Sequence, residues 1–393
     1  MFASRIQQIK PFRVMQLLAR AHALQRAGHD VVHLEVGEPD FPTAAPIVHA
    51  GQQALADGLT AYTEARGLPA LREAIAADYA HRLGVTLDPG RVQLTAGASG
   101  ALMLLAALLL EPGDELLMTD PCYPCNSSFL SVVNALARAV PVTAAQSFQL
   151  DAVTAEAHWG QRTRGLLLAS PANPTGTMLS EPALLDMLAL VRRRDGLLIM
   201  DEIYQGLTYP QAGGRTADSV LRLADKDDPV YVVNSFSKYF GMTGWRLGWL
   251  VVPTAAVEPV ERLAQNLFIA PSTLAQHAAL AAFSPEALAE HEARRQAFQA
   301  RRDQLLEGLL ALGLRVPVVP DGAFYLYVDI SALGMDAEDF CWRLLEEHQV
   351  AVTPGTDFGQ HDAQRYVRFA CTTSQARIAE ALRRLGNALR DWA

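Results

Sequence analysis

The sequence predicts an α/β fold. It would have a three-layer large domain with a mostly parallel sheet, plus a smaller α+β domain formed by the N-terminal segment and the C-terminal third. Three observations lead there. Between about residues 90 and 250, short β-rich runs alternate with longer helical stretches, the pattern of βαβ units with both sheet faces covered. From residue 286 the order changes to one long polar helix followed by mixed strand and helix signals. The 393 residues are 50% hydrophobic and 19% charged, without a low-complexity segment, which suits a large core and two domains. The boundaries read as 45–285 for the large domain, with 1–44 and 286–393 making the small one.

Residues 1–36 open on a helical pattern and end in VVHLEV, and their own sequence is compatible with packing on either domain. RVQLT (91–95) predicts a strand, followed by the glycine-bearing AGASG and the apolar ALMLLAALLL (101–110). That run is half the length a membrane span needs, so it predicts a buried helix. DELLMTD (114–120), RGLLLAS (164–170), GLLIMD (196–201) and PVYVVNS (229–235) are further short apolar runs. SEPALLDMLALVRRR (180–194) spaces its leucines helically, and its Ser-Glu start suits an N-terminal cap. In the last third, residues 286–311 form the long helix and AFYLYVDI (323–330) alternates as a half-exposed strand. A helix over 336–348, the short VAVTPG and RYVRFACT (365–372) complete the unit.

A net charge of -9 and a pI near 5.6 argue against a nucleic-acid partner, which calls for a basic face. The basic clusters RRRD (192–195) and ARRQAFQARR (293–302) read as solvated helix faces. The N-terminal MFASRIQQIKPF has no apolar h-region, and no apolar run is long enough for a membrane span, so a cytoplasmic enzyme is expected. Four cysteines do not make a disulfide framework. Cys122-Tyr-Pro-Cys125 has redox-motif spacing, but such short motifs are common by chance. Cys341 and Cys371 have no nearby His, so no metal site is expected.

The chemistry gathers where strands end, as ligands do in open α/β sheets. RVQLT runs into Gly97-Ala98-Ser99, a small-residue turn whose free N–H groups and helix dipole make a phosphate seat. RGLLLAS runs into Pro171-Ala172-Asn173-Pro174-Thr175-Gly176, where two prolines fix a loop around one amide. GLLIMD ends in Asp201, with Tyr204 just beyond, and a carboxylate at a buried strand end needs a cationic partner or strong hydrogen bonds. PVYVVN leads into Ser235, Ser237, Lys238 and Arg246. A lysine in a desolvated, cation-flanked site has a lowered pKa, so its neutral amine can form a Schiff base, and the Arg246 fork suits a phosphate. Together these groups ask for a ligand with a phosphate, a cationic nitrogen and a carbonyl. Pyridoxal 5'-phosphate has all three.

The run S-F-S-K-x-F-G-M-T-G-W-R-x-G, after P-A-N-P-T-G and D-E-I-Y-x-x-L-x-Y, resembles the class I/II aminotransferases of fold type I. V-G-E-P-D-F (36–41), A-Y-T-E-A-R-G-L-P-A-L-R (61–72) and P-G-T-D-F-G (354–359) extend the resemblance over nearly the whole chain. It implies that Lys238 holds pyridoxal phosphate as a Schiff base and then moves the substrate's α-proton. It implies Asp201 on the pyridine nitrogen, Tyr204 and Asn173 on the ring's phenolate oxygen, and Tyr123 stacked on the ring face. Ala98, Ser99, Ser235 and Arg246 would bind the phosphate, with Ser237 beside them. Arg368 in Y-V-R-F-A would hold the substrate carboxylate in a bidentate fork, and Gly37 would let the backbone approach it. Tyr62 resembles a tyrosine that reaches the neighbouring subunit's phosphate, which implies a homodimer with shared sites.

The implied reaction is a ping-pong exchange between an L-amino acid and a 2-oxo acid. No arginine stands in QNLFIAPST (265–273), where some dicarboxylate-using relatives place one, so a neutral or aromatic donor is expected, with Arg13 and Arg20 as remaining candidates for a distal cation. The competing expectations are β-elimination as in C–S lyases or ring closure on the same scaffold, and a non-catalytic regulator.

Overall fold

A computed structural model describes residues 2–209 and 218–392. Seven strands form the large sheet: β1 (Val92–Thr95), β2 (Glu115–Asp120), β3 (Leu136–Pro141), β4 (Thr163–Ala169), β5 (Leu197–Asp201), β6 (Val230–Ser235) and β7 (Gly248–Val251). Their spatial order is β1-β7-β6-β5-β4-β2-β3. Only β7 runs against its neighbours, and the other pairings are parallel. Helices cover both faces, so the leucine and valine runs of β4 to β6 are buried except at Leu197, as parallel strands require. The α/β architecture agrees with the sequence expectation.

Register is what matters for the site. Ala169 lies beside Asp201 and Asp201 beside Val233, so β4, β5 and β6 end at one level. The helix Gly97–Leu109 packs over β6 and β7 as the apolar run predicted. The helix Glu181–Arg193 starts where expected: Ser180 accepts from the Ala183 N–H at 3.4 Å, and Leu184, Met187, Leu188 and Val191 face the core.

Two strands were not legible in the sequence. In β3, LARAVP, an exposed edge strand carries an arginine and alanines, and its conformation comes from pairing along the whole of β2. The other, β7, lies inside a stretch that reads as a pocket wall, because the chain doubles back from β6 within the loop 236–247.

The smaller unit contains β8 (Tyr325–Asp329), β9 (Val350–Ala351), β10 (Thr353–Pro354) and β11 (Tyr366–Ala370). Strands β10, β11 and β8 form an antiparallel sheet in that order, while β9 pairs in parallel with Val32–His33. Residues 32–36 of the N-terminal segment therefore pair with this unit, while Arg5 near its start donates to the Val132 carbonyl of the larger one. Leu34 donates to the Ala351 carbonyl at 2.9 Å and accepts from the Ala370 N–H at 2.7 Å, which threads residues 32–36 between β9 and β11.

Two expectations fail here. Strand β8 is buried on both faces, not half-exposed: Tyr325, Leu326, Tyr327 and Val328 are all at most 3% exposed. One face meets its own helices, and the other meets Tyr204 of the large sheet through Tyr325, with ring centroids 5.7 Å apart. The arginines of ARRQAFQARR do not form a solvated face either. Arg294, Arg295, Arg301 and Arg302 are buried in the helix Pro285–Ala311. Arg295 donates to the Thr208 carbonyl at 3.0 Å, and Arg302 donates to the Pro320 carbonyl. Arg301 pairs with Asp40 at 2.7 Å and lies over the Phe41 ring. Arginine is suited to such burial because its plane stacks while its fork still donates. The helix thus ties the loop after Gly37 to the segments at Thr208 and Pro320.

Arg301→Ala is expected to lower stability by about 2 kcal/mol, since it strips a partly buried carboxylate of its partner and a ring of its cover. Thermal melting of the variant against the parent measures this.

Candidate active site

A cavity of ≈ 330 Å³ opens at the carboxyl ends of β4 to β6. Its lining includes Gly37, Ala98, Ser99, Tyr123, Asn173, Asp201, Tyr204, Ser235, Ser237, Lys238, Arg246 and Arg368. Of the residues singled out in the sequence, Gly97 and Tyr62 lie outside that lining. Gly97 stands just behind it with φ +68°, and a Cβ there would sit 2.7 Å from Arg246 Nη2. Tyr62 is 80% exposed on the surface.

One end of the cavity suits a phosphate. The helix Gly97–Leu109 begins there, and the Ala98 and Ser99 amides fall in its first turn, where N–H groups have no intrahelical acceptor. A Cβ on Gly248 would lie 2.8 Å from the Gly97 carbonyl carbon, so only glycine lets β7 press against that helix start. Ser235 Oγ donates to Ser237 Oγ at 2.9 Å. Arg246, in the left-handed region at φ 53°, leans its guanidinium over the same turn and donates to the Thr243 carbonyl at 3.1 Å.

The centre holds the titratable groups. Burial pushes the Lys238 ammonium down to about 8, helped by the Arg368 and Arg246 charges and opposed by Glu38 and Asp201. Its Nζ donates to the Gly37 carbonyl at 2.6 Å. Burial pushes the Asp201 carboxyl up to about 6, against the Ile203 N–H bond and the Lys238 charge that pull it down. Asp201 therefore has too few partners for a buried carboxylate, and a cationic nitrogen brought to it would supply the missing one. Tyr204 and Tyr325 share a hydroxyl–hydroxyl bond of 2.7 Å. Tyr325 did not stand out in the sequence because AFYLYVDI reads as an ordinary strand. Gly37 makes its place possible, since a Cβ there would fall 1.9 Å from the Tyr325 hydroxyl.

The far end suits a carboxylate. Arg368 is only 4% exposed, which rules out a surface arginine. Its guanidinium lies between the rings of Tyr325 (4.3 Å) and Phe358 (4.6 Å). Nη1 donates to Asn173 Oδ1 at 2.9 Å and Nη2 to the Glu35 carbonyl, while Nε has no partner. Its hydrogen-bond partners are an amide, a carbonyl and a hydroxyl, so a buried cation faces the cavity without an anion. A carboxylate brought into the cavity would suit that fork.

The apolar wall was not foreseen. Phe12, Val14, Met15 and Leu18 reach the cavity from the N-terminal segment and its helix Arg13–Arg26, and Phe358 joins them from the loop after β10. Beside them, burial pushes the Cys122 thiol up to about 12 and raises Cys125, the reverse of what a redox pair needs. The donor set thus fits pyridoxal phosphate: anion donors at one end, an unmatched carboxyl beneath, a depressed lysine alongside. Among the described residues no cluster of His, Cys, Asp and Glu suits a metal ion.

The Lys238 value has a direct consequence for pH. A group depressed to about 8 is mostly ammonium below that pH and mostly free amine above it. Uptake of pyridoxal phosphate by the cofactor-free protein, followed by absorbance, is expected to accelerate as pH rises through about 8, and a Lys238→Ala variant is expected to lack that rise.

Residues 29–385 match the family described as aminotransferase class I and II. A valine–pyruvate aminotransferase of Mycobacterium tuberculosis is 38% identical over 379 residues, covering 96% of each chain. A solved aminotransferase structure from Mycobacterium tuberculosis superposes with a TM-score of 0.94 at 38% identity, covering 100% of this chain and 99% of that one. The aspartate aminotransferase of Thermus thermophilus with maleate gives 0.91 at 34% identity, covering 98% and 99%. The chain belongs to the class I and II aminotransferases and is a pyridoxal-phosphate-dependent enzyme that moves an amino group from an amino donor to a 2-oxo acid.

Proposed function

We propose that this enzyme takes a neutral or aromatic L-amino acid as donor and does its chemistry at Lys238. The observation that carries the proposal is the convergence of Lys238, Asp201, Arg246 and Arg368 on one cavity whose remaining wall is apolar. Bound pyridoxal phosphate supplies a carbonyl that condenses with amines and a ring that accepts the electrons left when the α-proton departs. The chain's own residues do the rest. Arg368 grips the donor's carboxylate and so sets which face of its α-carbon meets Lys238. Lys238 Nζ, poised near neutrality, serves as the base that takes that α-proton and gives it back. Asp201 would keep the ring nitrogen protonated, Tyr204 and Asn173 would hydrogen-bond the ring's oxygen, and Tyr123 would cover its face. Ala98, Ser99, Ser235, Ser237 and Arg246 would anchor the phosphate, with Gly97 shaping the turn behind them, and Gly37 would leave room for the donor beside Tyr325.

The donor class follows from which cations are left over. Among the described residues the cavity's cations are Lys238, Arg246 and Arg368, each already engaged by cofactor or α-carboxylate. Arg13 bonds Thr356 at 3.0 Å and pairs with Glu338, and Arg20 pairs with Glu346 at the surface. Neither lines the cavity, so a distal carboxylate finds no partner within this subunit. The relative named for valine and pyruvate supports a neutral donor, while the Thermus neighbour named for aspartate points the other way. The cavity lining, which offers no further cation among the described residues, supports the neutral donor.

Tyr62 extends the proposal to a homodimer with shared sites. It is exposed outside its own cavity beside Leu59, Leu267, Phe268 and Ile269, also exposed, and Thr273 ties the two loops by a 2.7 Å bond to the Ala61 carbonyl. Covering these apolar side chains with a second copy would place Tyr62 at the partner's phosphate. Residues 45–285 then serve as the large cofactor-binding domain, with 1–44 and 286–393 as the small domain, in a cytoplasmic enzyme. Among the described residues no helix is long and apolar enough to cross a membrane.

Mixing the holoenzyme with single amino acids, without an oxo acid, is expected to convert its visible absorption band with neutral or aromatic donors. Release of pyruvate and ammonia would mark a β-lyase instead. Lys238→Ala is expected to lose at least about 10³-fold in kcat. Arg368→Ala is expected to act mainly on KM, weakening the donor about 100-fold.

A further inference from the structure

We propose that Asp357 is a specificity-determining residue, a fixed negative charge that turns away donors and acceptors carrying a second carboxylate. The inference rests on the neutral-donor reading above and names a residue that enforces it. Among the described residues, the cavity is lined by two acids, Asp201 and Asp357. Asp201 lies at the end of β5, beneath the cofactor. Asp357 lies on the substrate side, where Phe358, the next residue, stacks on Arg368 at 4.6 Å.

The position of that charge is fixed from both directions. Asp357 Oδ1 accepts from the Arg13 N–H at 3.0 Å and Oδ2 from the Val14 N–H at 3.3 Å, so the carboxylate caps the helix whose Val14, Met15 and Leu18 form the apolar wall. On its other side, Asp120 at the end of β2 accepts from the Gln360 N–H at 3.0 Å and the His361 N–H at 3.2 Å. The Cys122 N–H donates to the Phe358 carbonyl at 2.9 Å. A Cβ on Gly359 would fall 1.8 Å from Asp120 Oδ1, so glycine is what allows this loop to press against the strand end.

Among the described residues no side-chain cation pairs with Asp357. Arg13, whose own N–H bonds this carboxylate, turns its guanidinium to Thr356 and Glu338. The two backbone N–H groups and the helix dipole offset only part of a full charge. A donor with a neutral side chain meets apolar surface here. A dicarboxylate, with one carboxylate on Arg368, brings the other into a low-dielectric site already holding a negative charge, which selects against it.

The test is the ratio of kcat/KM for L-aspartate over L-norvaline, measured in the holoenzyme and in Asp357→Asn. The ratio is expected to lie well below one in the parent and to rise about tenfold in the variant. Asp357→Ser provides the same comparison should the first variant fold poorly, because serine can still cap the helix without a charge. Calorimetric affinity for succinate relative to butanoate is expected to shift in the same direction. Asp120→Asn, which loosens the loop but leaves the Asp357 charge, is expected to lower both rates and leave the ratio in place. A ratio that changes by less than about twofold in both Asp357 variants overturns the proposal. A parent enzyme that prefers aspartate would instead overturn the neutral-donor reading beneath it.

Discussion

The structure depends on leaving three charges in one dry cavity without letting them neutralise one another. Lys238, Asp201 and Arg368 are held on different elements, and the salt bridges of the fold are made elsewhere. Lys238 bonds a carbonyl, Asp201 a backbone N–H, and Arg368 an amide, a carbonyl and a hydroxyl. Each arrangement leaves the charge costly until a complementary group arrives. That cost is what moves the lysine down and the carboxyl up toward neutral pH, and it is met when cofactor and substrate supply the opposite charges.

Parallel register delivers this arrangement. Strands β4, β5 and β6 stop together, so Asp201 and the loops bearing Asn173 and Lys238 share one rim. The smaller unit contributes Arg368 from β11, Tyr325 from β8 and the N-terminal wall. Arg295 of the helix Pro285–Ala311 reaches the Thr208 carbonyl of the larger unit, while Arg301 and Arg302 tie Asp40 and Pro320 to the same helix. The backbone of residues 35–37 runs from the centre of the site to its carboxylate end, accepting from Lys238 at Gly37 and from Arg368 at Glu35.

What the sequence made legible was the chemistry that local motifs encode. Lys238, Asp201, Asn173 and the glycine turn at 97 each follow a short apolar run, and that local pattern survives without knowledge of the fold. Arg368 was visible by resemblance, and its burial accounts for the aromatic rings around it. Properties set by distant partners were not legible. The arginines of ARRQAFQARR look solvated until the carbonyls they meet are known, and β8 looks half-exposed until Tyr204 is placed against it. Strand β3 carries no apolar signal because it is an edge that its neighbour shapes. Tyr325, Asp357 and the wall at 12–18 join the site only through tertiary contact, so no spacing rule would have selected them.

The most direct test of this account is to reduce the holoenzyme with borohydride and map the modified peptide by mass spectrometry. The chain has three lysines, Lys10, Lys226 and Lys238, so the outcome is easily resolved. The account predicts that the pyridoxyl mass is found on Lys238 alone. Label on Lys10 or Lys226, or a reduced protein that carries none, would contradict it.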